Sequence, residues 1–184
     1  EQQSLNGRID KGSGKEKKVI VAAMFLTSFL IVLDQITKII VVQCIPKHEA
    51  IPVIKGLFNL TYITNRGAAW GIMSGKGHLL LGISIAVLVM VIYFLRSLTE
   101  GCIERYFALF MIMSGIIGNS IDRLWRQEVV DFLDFYVRDN HWPSFNVADS
   151  AITVGVIIYI ASSLFRKPLK KGGYTGFFEG FCLY

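Results

Sequence analysis

Apolar residues gather into four long stretches. Val19 to Leu33 carries no charge, and its apolar character continues to Val42 around Asp34, Gln35 and Lys38. His78 to Leu95 and Tyr106 to Ile121 are free of Asp, Glu, Lys and Arg, and Val147 to Phe165 holds one charge, Asp149. Each is near the roughly 20 residues with which a helix crosses about 30 Å of hydrocarbon. In lipid the backbone must satisfy its own hydrogen bonds, so the pattern predicts helices. The expected spans are about 19–42, 77–95, 105–124 and 147–165, an all-α membrane protein. Between them, 57–65 (LFNLTYITN) mixes aromatic and β-branched residues with partial alternation, which predicts a short strand. The segment 129–137 (VVDFLDFYV) mixes apolar and acidic positions and precedes Trp142-Pro143. Aromatic residues there suit either the lipid–water boundary or a platform that holds a substrate on the membrane.

Composition agrees with this pattern. Of 184 residues 53% are hydrophobic and only 18% charged, against about a quarter charged in soluble domains. That excludes an ordinary soluble enzyme and a disordered chain. The net charge of +5 comes from basic residues at segment ends, which orient a membrane protein rather than read phosphate. Residues 1–18, the link between spans two and three, and the tail hold 11 of the 19 Lys and Arg; loops 42–77 and 122–148 hold 7. The basic side is expected to be cytoplasmic, with both termini on it. The division expected is a flexible cytoplasmic arm (1–18), a membrane domain (19–165) and a cytoplasmic tail (166–184). Lys15 to Lys18 before an apolar run fits a signal peptide, but no A-x-A follows, so a retained helix is expected. Cys44, Cys102 and Cys182 form no metal spacing, and His48, His78 and His141 are dispersed. No metal, cofactor or disulfide framework is expected.

Ionisable groups inside spans are costly and usually functional. Asp34 and Lys38 lie one helical turn apart near the outer end of span one. Gly115, Asn119 and Arg123 repeat on one face of span three toward its outer end, and Asp149 starts span four. Apart from Thr27 and Ser28 the inner halves look dry, which argues against a proton-coupled transporter, the main alternative. Plain structural roles exist as well: a helix ion pair for Asp34–Lys38, close helix contact at Gly115 and Gly118, an N-cap for Asn146. The outer face offers carboxylates at Asp122, Asp131, Asp134, Asp139 and Asp149, with no nucleophilic triad. Two carboxylates sharing a site keep one proton near neutrality, so one activates water and the other polarises a carbonyl. Spacing alone does not choose the partner of Asp149.

The motifs resemble those of bacterial lipoprotein signal peptidase, or signal peptidase II. They are D-Q-x-T-K at Asp34–Lys38, N-R-G-A-A-W-G at Asn65–Gly71, G-N-x-x-D-R at Gly118–Arg123, E-V-V-D-F-x-D at Glu128–Asp134 and F-N-V-A-D-S at Phe145–Ser150. The resemblance covers about residues 19–165. It implies a membrane aspartic endopeptidase whose catalytic pair is Asp131 and Asp149. It implies that Asp34, Lys38, Asn65, Gly67, Gly115, Asn119, Arg123 and Asn146 hold the site or contact substrate and the peptide-like inhibitor globomycin. The implied substrate is a diacylglyceryl-modified prolipoprotein, cleaved just before the lipidated Cys. The implied protein is a monomer in the bacterial inner membrane, with four transmembrane helices, a small extracytoplasmic β-cradle and a short amphipathic helix. Arg126-Gln127-Glu128 departs from the family, which often has Gly near that turn. Gln43 before Cys44 is too large for a lipobox, so the chain is not itself a lipoprotein. Trp70 and loop 57–71 are expected to close over the substrate. A non-enzymatic lipoprotein-binding factor on the same fold would need no water-activating pair.

Overall fold

A computed structural model describes residues 2–67 and 75–165, with side chains from residue 14. Trp70, residues 68–71 of the expected closing loop, and the tail 166–184 lie outside the described residues. The elements run α1 (Gln2–Cys44), β1 (Ala50–Ile54), β2 (Phe58–Asn65), α2 (Gly77–Tyr93), α3 (Leu95–Thr99), α4 (Ile103–Trp125), β3 (Val129–Val137), β4 (Asn140–His141) and α5 (Val147–Phe165). Among the described residues three helices are long and apolar enough to cross a membrane: Gly14–Cys44, Ile103–Trp125 and Val147–Phe165. The stretch read as the second span gives a shorter apolar helix, α2, of 17 residues. It stops because Phe94 leaves helical geometry, and the chain turns again at Glu100 and Gly101, both with positive φ. Helix α1 already begins at Gln2, inside the stretch read as an arm. Lys15, Glu16, Lys17 and Lys18 are good helix formers and extend the ladder upstream of the apolar run.

Helix α4 is the centre of the bundle and touches α1, α2, α3 and α5. Its contact with α5 is the most intimate, because glycines face it. A side chain at Gly115 would run into the Ala148 carbonyl and the Ile152 side chain, and one at Gly155 would meet the Ala108 carbonyl. Small residues let backbones approach where lipid gives no hydrophobic drive for association. The outward surfaces are apolar: Phe25, Phe29, Val89, Ile92, Ile157 and Leu164 are exposed on α1, α2 and α5, as lipid contact requires.

The four strands form an antiparallel sheet in the order β1-β2-β3-β4. The expected strand at 57–65 is β2, and 129–137 is its neighbour β3. Pro52 is tolerated because β1 is an edge strand. The sheet sits at the C-terminal end of α1, where Val41 and Ile45 pack with Val130 and Phe132. No further helix occurs among the described residues of the two loops that carry the sheet, 45–67 and 126–146.

The far end of the bundle is less dry than the sequence pattern implied. Arg105 is buried, donates from Nε to Ser162 Oγ at 3.1 Å and pairs with Glu100 at 2.6 Å. Ser162 donates to Glu104 and Tyr106 to Glu16. The apolar run of the third span begins at Tyr106, whereas α4 starts at Ile103 and draws Glu104 and Arg105 into its first turn. Polar groups therefore occupy both ends of the bundle, each set paired among its own members.

Candidate active site

Three elements meet at the sheet end: the last turns of α1 and α4, and the first turn of α5. The start of α5 is fixed by a reciprocal cap. Asp149 N–H donates to Asn146 Oδ1 at 2.9 Å, and Asn146 N–H donates to Asp149 Oδ2 at 3.3 Å. This is a capping box with Asn at the cap and Asp three residues on. The plain structural reading of Asn146 is thus correct, and it leaves the Asn146 amide nitrogen free to reach elsewhere. That nitrogen donates to Asp131 Oδ1 at 2.8 Å and lies 3.3 Å from Asn119 Oδ1 and from the Val130 carbonyl. One side chain so contacts both Asp131 on β3 and Asp149 on α5. Asn119, from α4, donates to Asp149 Oδ1 at 2.7 Å.

Both carboxylates line one cavity of about 560 Å³. Asn65, Gly67, Asn119 and Arg123 line it too, and Trp142, Pro143 and Phe145 add an apolar wall. Asn65 accepts from the Gly67 N–H at 2.8 Å, a turn that presents its amide to Asp131. Arg123 reaches the Gly67 carbonyl at 3.4 Å, so α4 holds the end of β2. Burial is the largest influence on Asp131, and the charge of Asp149 adds to it. Against these, bonds from Asn146 and Asn65 and the charge of Lys38 favour ionisation. The outcome is a carboxyl pushed up from its usual 3.8 to about 7.

Behind the cavity lies a buried ionic cluster. Lys38 is fully buried, with Nζ 2.8 Å from Asp34 Oδ2, 2.8 Å from Asp122 Oδ2 and 3.1 Å from Asn119 Oδ1. Asp34 also accepts the Ala148 N–H at 2.9 Å, and Asp122 accepts the Val130 N–H at 3.3 Å. The α1 ion pair therefore grips the starts of α5 and β3, the elements that carry Asp149 and Asp131. The pair is thus more than an i, i+4 contact within one helix. Asp122 is the residue that sequence reasoning left unassigned. Its signal was available: it follows Asn119 by three residues, on the helix face that already held Gly115 and Asn119.

The other loop aspartates go elsewhere. Asp134 is bound by Asn59 and His141, and Asp139 lies in the exposed turn between β3 and β4. Gly115 lines no part of the cavity; it acts by admitting α5, while Gly118 leaves room for the Asp34 carboxylate. Outside the cavity, Glu128 joins Lys47 and Arg66 across the sheet rim. Burial opposes ionisation of Glu128, but the two cations outweigh it and hold its carboxyl below the usual range. No group of three or more His, Cys, Asp or Glu suited to a metal ion occurs among the described residues.

A bundle of apolar helices, capped at one end by a sheet and a carboxylate-lined cavity, defines a membrane enzyme in class. Comparison with known proteins gives the particular family. Residues 26–165 match the family described as "Signal peptidase (SPase) II". The "Lipoprotein signal peptidase" of Desulforapulum autotrophicum is 39% identical over 155 residues, 82% of this chain and 96% of that one. That of Bacillus velezensis is 40% identical over 143 residues, 78% and 94% of the two chains. A solved structure described as "Bacterial membrane enzyme structure by the in meso method at 2.3 A resolution" superposes with a TM-score of 0.72 at 32% identity, covering 81% of this chain and 93% of that one. The chain belongs to the signal peptidase II family and is a membrane peptidase. The match gives no support to a proton-coupled transporter.

Proposed function

We propose that this protein removes signal peptides from prolipoproteins by aspartic hydrolysis, with Asp131 and Asp149 as the catalytic pair. The observation that carries the reading is the Asn146 bridge: its side-chain amide donates to the Asp131 carboxylate and its backbone N–H to that of Asp149, and both carboxylates line one cavity. Near neutrality the pair keeps one proton, on Asp131, whose carboxyl is pushed up to about 7. Asp149 then serves as the base. It takes a proton from water as the water oxygen attacks the scissile carbonyl carbon. The Asp131 hydroxyl hydrogen-bonds the carbonyl oxygen and stabilises the charge that develops there. Collapse of the tetrahedral intermediate breaks the C–N bond, and the proton gained by Asp149 passes to the departing amine. Asn65 and Arg123 line the cavity and have N–H groups to offer peptide carbonyls. Lys38, Asp34 and Asp122 position the pair without reacting.

The names of the relatives and the motif resemblance support a diacylglyceryl-modified substrate, cleaved just before the lipidated Cys. The lipid anchor keeps the scissile bond at membrane depth, and lipid surrounds the bundle. The distribution of basic residues supports a cavity at the extracytoplasmic face of the inner membrane, with both termini cytoplasmic and α2 as the fourth span. The protein acts as a monomer, and a peptide-like inhibitor such as globomycin occupies the same cavity. The test is cleavage of a diacylglyceryl-modified prolipoprotein by purified wild type, Asp131→Asn and Asp149→Asn. Each variant is expected to lose at least about 100-fold in rate, the lower end of what acid–base groups contribute. Retained turnover in either removes the two-carboxylate mechanism.

A further inference from the structure

The apolar wall of the cavity, residues 142–145, is a short return segment hung from β3. Ladder bonds reach it at its two ends. The Trp142 N–H donates to the Phe135 carbonyl at 2.8 Å, and Phe145 exchanges bonds with Leu133. Its upstream support is weak by itself. Strand β4 has two residues, paired only as Tyr136 with His141 and Val137 with Asn140. The connecting turn puts Arg138 at φ 57°, a left-handed conformation unfavourable for a residue with a Cβ. So short a hairpin is marginal without side-chain support.

The support is present, and catalysis does not use it. His141 Nδ1 lies 2.9 and 3.0 Å from the two oxygens of Asp134. The Asp134 side chain is 8% exposed, and Asn59, its partner across β2, donates to Oδ2 at 2.9 Å. A carboxylate so buried is costly without its donors, so the contact is strongly maintained. The His141 ring also stacks on Tyr136 at 4.9 Å. Asn59, Asp134 and His141 thus tie β2, β3 and β4 together immediately before Trp142.

We propose that the Asp134–His141 contact is a latch that sets the position of the 142–145 wall, making both residues positioning residues for substrate binding. This rests on the peptidase reading of the cavity. The latch acts on the Trp142 end of the wall, whereas the Phe145 end, which leads into Asn146, is held separately by its own bonds to Leu133 and Phe132, so loosening the latch weakens substrate binding and spares the chemical step.

His141→Phe keeps a stacking ring and removes the donor; His141→Asn loses the ring and keeps a nitrogen at the Nδ1 position. With a prolipoprotein substrate, His141→Phe is expected to raise KM about five- to tenfold with kcat within about twofold, the net contribution of one ordinary hydrogen bond. His141→Asn is expected to restore most of the wild-type KM. An unchanged KM in His141→Phe, a fall in kcat instead, or equal damage in both variants overturns the latch, whatever happens to Tm. A second readout needs no cleavage: acrylamide quenching of Trp142 fluorescence in a Trp70→Phe/Trp125→Phe background. Quenching should rise in His141→Phe and not in His141→Asn, and identical quenching overturns the proposal. A wild type that cleaves no prolipoprotein counts against the peptidase reading alone, since the quenching comparison still decides the latch.

Discussion

Asp131→Asn is expected to abolish cleavage and yet stabilise the protein above neutral pH. The Asp131 carboxyl titrates near 7 in the folded chain against a usual 3.8. The folded state therefore binds this proton more tightly than the unfolded state does. Below about pH 4 both states are protonated and the residue carries no penalty. As pH rises toward 7 the unfolded carboxyl ionises freely while the folded one resists, and stability falls. Above 7 the penalty is complete. A difference of about three pH units, at about 1.4 kcal/mol each, puts it at up to about 4 kcal/mol. For a chain of this size that corresponds to a Tm gain for Asp131→Asn of about 10 °C at pH 8. The gain should shrink toward zero near pH 4, because asparagine only removes an ionisation that is absent there. The assay is thermal unfolding in detergent for both proteins from pH 4 to 8. Part of the shift comes from the Asp149 charge, so the pH 8 gain should be smaller in an Asp149→Asn background. A gain that does not vary with pH, or a loss of Tm at pH 8, refutes the assignment of a high-pKa carboxyl to this position.

The same proton predicts an alkaline limb near pH 7 in kcat/KM, since the pair stops working once Asp131 ionises. Asn146→Ala removes a bond to the ionised form, and so moves that limb to higher pH while costing about 1 kcal/mol of stability through the lost cap. Lys38→Met leaves the buried Asp34 and Asp122 without their shared cation and should cost about 3–5 kcal/mol in denaturation experiments; adding Asp34→Asn should recover part of it. Gly115→Ala forces α5 away at Ala148 and should lower both Tm and kcat, whereas Gly82→Ala, with open space around it, should change neither adversely.

The sequence alone located the four apolar helical stretches, though not where each helix ends, together with strand β2 and the motifs of the site. Those follow from local rules: hydrophobic run length, alternation, and the rarity of charge in lipid. It placed Asn146 as a cap because capping is a three-residue interaction. Left to the tertiary structure was everything that depends on which surfaces meet. Spacing did not say which loop carboxylate faces Asp149; the β2–β3 register and the Asn146 amide bring Asp131 there and send Asp134 to His141. The i, i+4 pair of Asp34 and Lys38 was legible, but the third member, Asp122, comes from another helix about 80 residues away. The ion pairs at the far end were hidden because α4 begins earlier than its apolar run. A helix boundary is set by capping and packing as well as by hydropathy. Periodicity records which way each residue points from its own element. The partner it meets depends on the packing of elements far apart in the chain.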